Sequence, residues 1–320
     1  MATLVGCGGA PPAPPATDEP QQAAPAPPPG VWAQKSQNPD IRSEAANVLV
    51  NGKLFVMGGL ARGLESSTLV QEYDAASDKW LERAPMPSPL SHPTATALDG
   101  KVYVIGGFLA QVHVGAQDAA FEYDPATDKW RRLAPLKVPR GSIAVVAVNG
   151  KIHAIGGRTA DRVTSTAHEI YDPATNSWSD GAPLPTARDH LFFGVLDGKI
   201  HVIGGRVNTP TDNVAQHDIY DPAANTWSSG PALPTARSGG ASVVYKNMLL
   251  VMGGECDNGR PFNQNEAFDA QSNSWKTLAP MTVGKHGISA ATDGSIVYIG
   301  GGNPECGLSY SNKLVTFTLP

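Results

Sequence analysis

Six glycine pairs set the frame for this 320-residue chain. They are Gly58-Gly59, Gly106-Gly107, Gly156-Gly157, Gly204-Gly205, Gly253-Gly254 and Gly300-Gly301, and they recur every 47 to 50 residues. Each ends a short apolar run. Fourteen or so residues further on comes an aromatic residue followed by Asp: Tyr73-Asp74, Tyr123-Asp124, Tyr171-Asp172, Tyr220-Asp221 and Phe268-Asp269. Seven residues past each aromatic stands a tryptophan: Trp80, Trp130, Trp178, Trp227 and Trp275. A chain written this way is an array of like supersecondary units, none of which buries its apolar face alone.

Each unit reads as four short antiparallel strands. The first is a run of small or apolar residues, such as residues 142–148 or 190–196. An Asp-Gly or Asn-Gly turn follows (Asp99-Gly100, Asn149-Gly150, Asp197-Gly198, Asp293-Gly294), which suits the positive φ values of a two-residue hairpin. The second strand ends in the glycine pair, the third in aromatic–Asp, and the fourth opens on the tryptophan. Unbroken apolar character along the second strand predicts burial on both faces. The counts of 34 Gly and 28 Pro agree with many short strands joined by turns.

This pattern resembles the Kelch repeat of β-propellers. The resemblance covers residues 31–320 and implies an all-β, six-bladed propeller with four-stranded antiparallel blades. The sixth copy is split. Residues 313–318 supply its third strand, with Phe317 in the aromatic place, and the chain ends without the tryptophan. Trp32 is the missing one. It stands ten residues before Arg42, the offset from Trp130 to Arg140, Trp178 to Arg188 and Trp227 to Arg237. Residues 31–35 are therefore expected to complete the last blade, which removes open sheet edges.

Residues 1–30 read differently. Leu4-Val5-Gly6-Cys7 resembles a bacterial lipobox preceded by a truncated signal, with Cys7 as the acylated residue. Nine prolines within residues 8–30 describe a spacer too poor in apolar side chains to pack. The expectation is a lipid-anchored exported protein, in the bacterial periplasm or at the cell surface. Elsewhere no apolar run approaches the ~18–20 residues that span a bilayer. A net charge of −5 argues against a nucleic-acid binder.

Antiparallel order gathers the loops after the glycine pairs, and the connections between blades, at one mouth of the channel. These loops are long and varied, so function is expected there. Ten residues past each tryptophan stand Arg42, Leu90, Arg140, Arg188, Arg237 and Lys285, five of them cationic. His92, His190 and His286 recur just beyond, at what read as equivalent positions. Arg158 and Arg206 follow their glycine pairs, and Glu255 follows a third. One reading is a cationic ring that draws in an anionic ligand, with Arg suited to bidentate capture of a carboxylate. The other is that these cations pair with nearby carboxylates or carbonyls and pin the blades together. Cys256 and Cys306 sit in long loops of adjacent blades. They are read as a possible disulfide, as two free thiols, or, with Glu255, Asp257, His286 and Glu305, as a metal cluster. No recognised ligand spacing supports the cluster, so no metal and no cofactor are expected.

The expected function is a non-enzymatic binding module. It would be a monomer that holds an anionic small molecule, acidic glycan or acidic peptide at the long-loop mouth and meets the membrane only through its lipid. The alternative is a carbohydrate-active enzyme similar to the exported sialic-acid mutarotases, with Glu255 and the histidines moving protons. Galactose-oxidase chemistry is set aside, because its His, Tyr and Cys–Tyr pattern is not visible. A ubiquitin-ligase adaptor would need a fused oligomerisation domain, and none is read within residues 1–320.

Overall fold

The turns come first, because they fix the register. Asn51-Gly52, Asp99-Gly100, Asn149-Gly150 and Asp197-Gly198 all take positive φ at both positions, and Lys246-Asn247 does the same in the fifth repeat. Mirror-image turns of this kind match the right-handed twist of the strands they join. The computed structural model describes residues 1–3, 26–110, 113–209 and 211–320. Cys7 and most of the expected tether lie outside the described residues.

Among the described residues the strands build six four-stranded antiparallel blades and no helix. From the channel outward, the first is Ala46–Val50, Lys53–Met57, Val70–Asp74 and Lys79–Arg83. The second is Thr94–Leu98, Lys101–Ile105, Ala120–Asp124 and Lys129–Arg132. The third is Ala144–Val148, Lys151–Ile155, His168–Asp172 and Ser177–Asp180. The fourth is Phe192–Leu196, Lys199–Ile203, His217–Asp221 and Thr226–Ser229. The fifth is Ala241–Tyr245, Met248–Asp257, Arg260–Asp269 and Ser274–Thr277. The sixth combines both ends of the chain: Ala290–Thr292, Val297–Gly300 and Leu314–Thr318, then Val31–Gln34 on the outside. Trp32 pairs with Phe317 across that last ladder, so the ring closes as the tryptophan offset predicts. The third and fourth blades start at Ala144 and Phe192, two residues later than expected. Ser142 and His190 both have φ of 53°, a left-handed conformation that does not continue a regular strand of L-residues.

The core is divided among the joints. Six apolar clusters lie one between each pair of neighbouring blades, such as Phe55, Met57, Val104 and Phe121 between the first and second. The tryptophans fasten the outer rim. Trp80, Trp130, Trp178 and Trp227 each donate Nε1–H to a carbonyl of the preceding blade's exit: Ser36, Ala84, Ala134 and Ala182. The N–H of that same residue donates to Asp78, Asp128, Asn176 or Asn225, whose carboxylate or amide oxygen also takes the tyrosine hydroxyl. One residue of each blade is thus held at both its N–H and C=O by the next. In the fifth blade Phe268 has no hydroxyl, and the residue clasped by Trp275 is Pro231, which has no N–H. Both donors to the acceptor two places before the tryptophan, here Asn273, are missing together.

The third and fourth blades carry buried histidine pairs. His153 Nδ1 lies 2.9 Å from His168 Nε2, and His201 Nδ1 lies 2.8 Å from His217 Nε2. Burial pushes His153 down to about 3 and the other three to about 4. An unfolded histidine titrates near 6.5. Each is therefore neutral in the fold where the unfolded chain takes up a proton. Their contribution is whole above about pH 6.5 and is lost as pH falls through the folded values, by up to about 1.4 kcal/mol per pH unit per group. The expected result is a urea midpoint that drops steeply between pH 6.5 and 4.5. The first blade has Phe55 and Val70 at the corresponding places. The double variant H153F/H168V should flatten that slope, and an unchanged slope would show that acid sensitivity arises elsewhere.

Candidate functional site

Two hydrogen-bonded belts build the mouth. In the first, the second glycine of each pair donates to the backbone carbonyl of the cation-position residue in the next blade. These bonds are Gly59 to Leu90, Gly107 to Arg140, Gly157 to Arg188, Gly205 to Arg237, Gly254 to Lys285 and Gly302 to Arg42, at 2.8–3.1 Å. The same carbonyl explains the first glycine. At Gly106, φ is 66° and a Cβ would lie 2.4 Å from the Arg140 oxygen, so no side chain fits. The sixth blade uses Gly301-Gly302 rather than Gly300-Gly301, because Gly300 is the last residue of its strand and Gly301 is the one that meets the Arg42 carbonyl.

The second belt is a closed circle of backbone bonds around the channel. Glu44 N–H donates to Gly287, His92 to Glu44, Ser142 to His92, His190 to Ser142, Gly239 to His190 and Gly287 to Gly239, at 2.7–3.3 Å. All six residues are left-handed, with φ between 50° and 67°. Four of them are not glycine and hold a conformation that costs about 1–2 kcal/mol, which the circle sustains.

The cations of the expected ring do not line the opening. Arg42, Arg140, Arg188 and Arg237 are 0–1% exposed and Lys285 is 3% exposed. Each turns into its own blade and donates to the carbonyl of the first glycine, at Gly58, Gly156, Gly204, Gly253 or Gly301. Arg140, Arg188 and Arg237 also pair with Glu169, Asp218 and Glu266 on the third strand, and Arg42 donates to Gln71. Burial lowers Arg42 and Arg188 to about 10 and Lys285 to about 8, which leaves them charged at neutral pH. The second blade has Leu90 in the cation's place and Phe121 in the carboxylate's, both fully buried. In the third, fourth and fifth blades cation and carboxylate therefore form one exchangeable structural unit, while Arg42 meets Gln71 and Lys285 meets Ser311 in the carboxylate's stead.

What opens at the mouth is a cavity of about 430 Å³. Of the expected site residues, His190, Arg206, Glu255 and His286 line it, joined by Glu44, His92 and His113. Arg158 lies just behind and donates to Asp189. Asp189 also accepts from Arg206 Nε at 2.8 Å and sits 2.7 Å from His190 Nδ1. Burial pushes the Asp189 carboxyl up, but His190, Arg206 and Arg158 together hold it below the usual range. Arg206 donates Nη1–H to Glu255, while its Nη2 lies 3.4 Å from both His113 Nε2 and His190 Nε2. Glu44, within 3.4 Å of His92 Nε2, is raised by burial. The three histidines read as equivalent are not. His92 and His190 belong to the circle, whereas His286 stands one place earlier, bridged to Asn303 and 3.1 Å from the Glu305 carbonyl. Cys256 and Cys306 form a disulfide that ties the loops of the fifth and sixth blades beside this cavity.

His113 was not singled out from the sequence, and Glu44 was read only as one of the nearby carboxylates, with Asp40 and Asp189, that could pair with the arginines. Glu44 shares the offset of His92 and His190, two places past the cation, and that offset was a usable signal. His113 has none, since it sits in the second blade's long loop, between Phe108–Ala110 and Val114–Ala116.

Comparison with known proteins agrees with this architecture. Residues 31–205 match the profile described as the KLHDC2/KLHL20/DRC7 Kelch-repeats domain, and residues 187–234 and 236–282 match Kelch motifs. The chain belongs to the Kelch-repeat family. It is 37% identical to the Kelch-like protein terF of Aspergillus terreus over 73 residues, 22% of this chain and 16% of that protein. It is 31% identical to Kelch-like protein 35 of Mus musculus over 81 residues, 25% of this chain and 14% of that protein. These matches span a small part of each relative. The solved structure of YjhT superposes with a TM-score of 0.75 over 88% of this chain and 96% of that one, at 17% identity, and shares the fold.

The exchangeable unit makes a prediction. R140L alone leaves the Glu169 carboxylate, whose side chain is 2% exposed, with the N–H groups of Lys137 and Val138 but no cation, and should cost roughly 3–5 kcal/mol. R140L/E169F transplants the Leu90–Phe121 pair and should recover part of that loss in a urea melt, short of the whole because Lys137 and Val138 lose the acceptor of their N–H groups. If the double variant is no more stable than the single one, the two side chains do not act as a unit.

Proposed function

We propose that this propeller is a non-enzymatic binding module whose long-loop mouth takes one anionic group, from an acidic peptide or acidic sugar, flanked by hydrogen-bond donors. The observation that carries the reading is Arg206. Its Nε and Nη1 are committed to Asp189 and Glu255, but its Nη2 makes only two contacts of 3.4 Å, longer than a good hydrogen bond. That donor faces a cavity large enough for a side chain or a monosaccharide. Glu255 and Glu44 on the same wall accept N–H or O–H groups, which favours a ligand carrying donors beside its carboxylate. Exposed Leu109, Val114, Val163 and Leu308 stand in the surrounding loops and offer apolar area to a protein segment. The buried arginines hold the blades and are not part of this reading.

The module is further proposed to be exported by a bacterium and tethered through Cys7. The support is sequence alone: LVGC, then a proline-rich spacer that ends where the first strand begins.

The ligand reading is tested by calorimetry in EDTA, with N-acetylneuraminate against N-acetylglucosamine, and with a Glu-containing peptide against its Gln counterpart. An acidic member should bind, its neutral partner should bind at least about tenfold more weakly, and R206Q should remove the difference. Added salt should weaken the acidic member. Equal binding of acidic and neutral partners, or no binding by any of the four, would overturn it.

A further inference from the structure

We propose that the mouth also binds one transition-metal ion of the Zn²⁺ class, held by His92, His113 and His190. The three rings come from separate places in the chain and converge. One ligand-type atom of each lies within 4.8 Å of the others. His113 Nε2 and His190 Nε2 are 3.4 Å apart. Two nitrogens bound to one tetrahedral ion at about 2.0–2.1 Å stand about 3.3–3.4 Å from each other, so this pair is already at ligand spacing.

The tautomer of His190 fits. Asp189 accepts the Nδ1–H of His190 at 2.7 Å, which leaves Nε2 as a lone pair on the cavity side, with long 3.4 Å approaches from Ser142 Oγ and Arg206 Nη2. A carboxylate behind a histidine in this way orients metal-bound imidazoles generally. His92 supplies a second, independent sign. It is 7% exposed, and its Nδ1 is buried with no hydrogen-bond partner. A buried nitrogen without a partner is costly, and an ion or the water on it is one way to satisfy such a group.

Charge permits a cation. Asp189 and Glu255 pair with Arg158 and Arg206, so the two cations are offset by two carboxylates. The one group in the way is Arg206 Nη2, whose two contacts to the imidazoles are long. Its bonds to Asp189 and Glu255 do not depend on them. Three imidazoles suit Zn²⁺, Cu²⁺, Ni²⁺ or Co²⁺ rather than Mg²⁺ or Ca²⁺. The fourth position opens on the cavity, where a water or the carboxylate of a ligand completes the shell.

This inference stands apart from the ligand reading, because ion binding is measured with no organic ligand present. The full chain, without a histidine tag, is stripped with EDTA, exchanged into buffer and titrated with ZnSO₄, MgCl₂ or CoCl₂. One Zn²⁺ per chain should bind, Mg²⁺ should not compete, and Co²⁺ should give the visible absorption of a four-coordinate site. H113A and H113Q should each weaken Zn²⁺ at least about 100-fold with the metal-free melting temperature nearly unchanged, since His113 sits in a loop. H217Q, which alters a histidine buried within the fourth blade and outside the cavity lining, should leave Zn²⁺ affinity as it was. Absence of stoichiometric Zn²⁺ or Co²⁺ binding, or binding that survives both His113 variants, would overturn the proposal.

Discussion

Everything at the mouth depends on a backbone carbonyl that two blades share. The residue ten places past each tryptophan offers its carbonyl to the previous blade's second glycine. Where that residue is cationic, its side chain runs into its own blade to the first glycine's carbonyl. One residue therefore looks both ways across a joint. A buried carbonyl left without such a partner costs about 1–3 kcal/mol. The joint also dictates glycine, because a Cβ on the first member of the pair meets that oxygen at 2.4–2.9 Å in every blade.

The circle of six backbone hydrogen bonds follows from this joint. Once each carbonyl is held, the chain two residues on must turn inward, and it does so in the left-handed conformation. Side chains at that turn point toward one axis, which is how Glu44, His92 and His190 meet although they come from different blades. The site is thus assembled by the closure of the ring. The apolar layers between blades supply most of the stabilisation, and the tryptophan clasps set the outer rim. Polar groups that look functional in isolation, such as Arg140 and Arg237, belong to the joint.

Period, strand order and closure by Trp32 were all legible in the sequence, because each rests on a local rule repeated six times: hairpin turns, glycine approach, and an aromatic that fills a fixed gap. The fate of the arginines was legible only in part. Their offset was visible, but whether they faced the channel or their own blade depended on Glu169, Asp218 and Glu266, some thirty residues away. The pairing of Leu90 with Phe121 in the second blade was a readable hint. His286 was placed one residue out of register, since Lys285 carries it where Asp189 and Ser91 stand. His113 was beyond reach, because a loop of its own length brings it to the axis and no repeat shares it.

The central claim is that the circle is one cooperative element closed across the seam between the two ends of the chain. Native-state hydrogen exchange reads it directly at the amides of Glu44, His92, Ser142, His190, Gly239 and Gly287. The account predicts that all six exchange together, with the free energy of global unfolding. Early exchange of Glu44 and Gly287, the two amides nearest the seam, with the other four still protected, would contradict it.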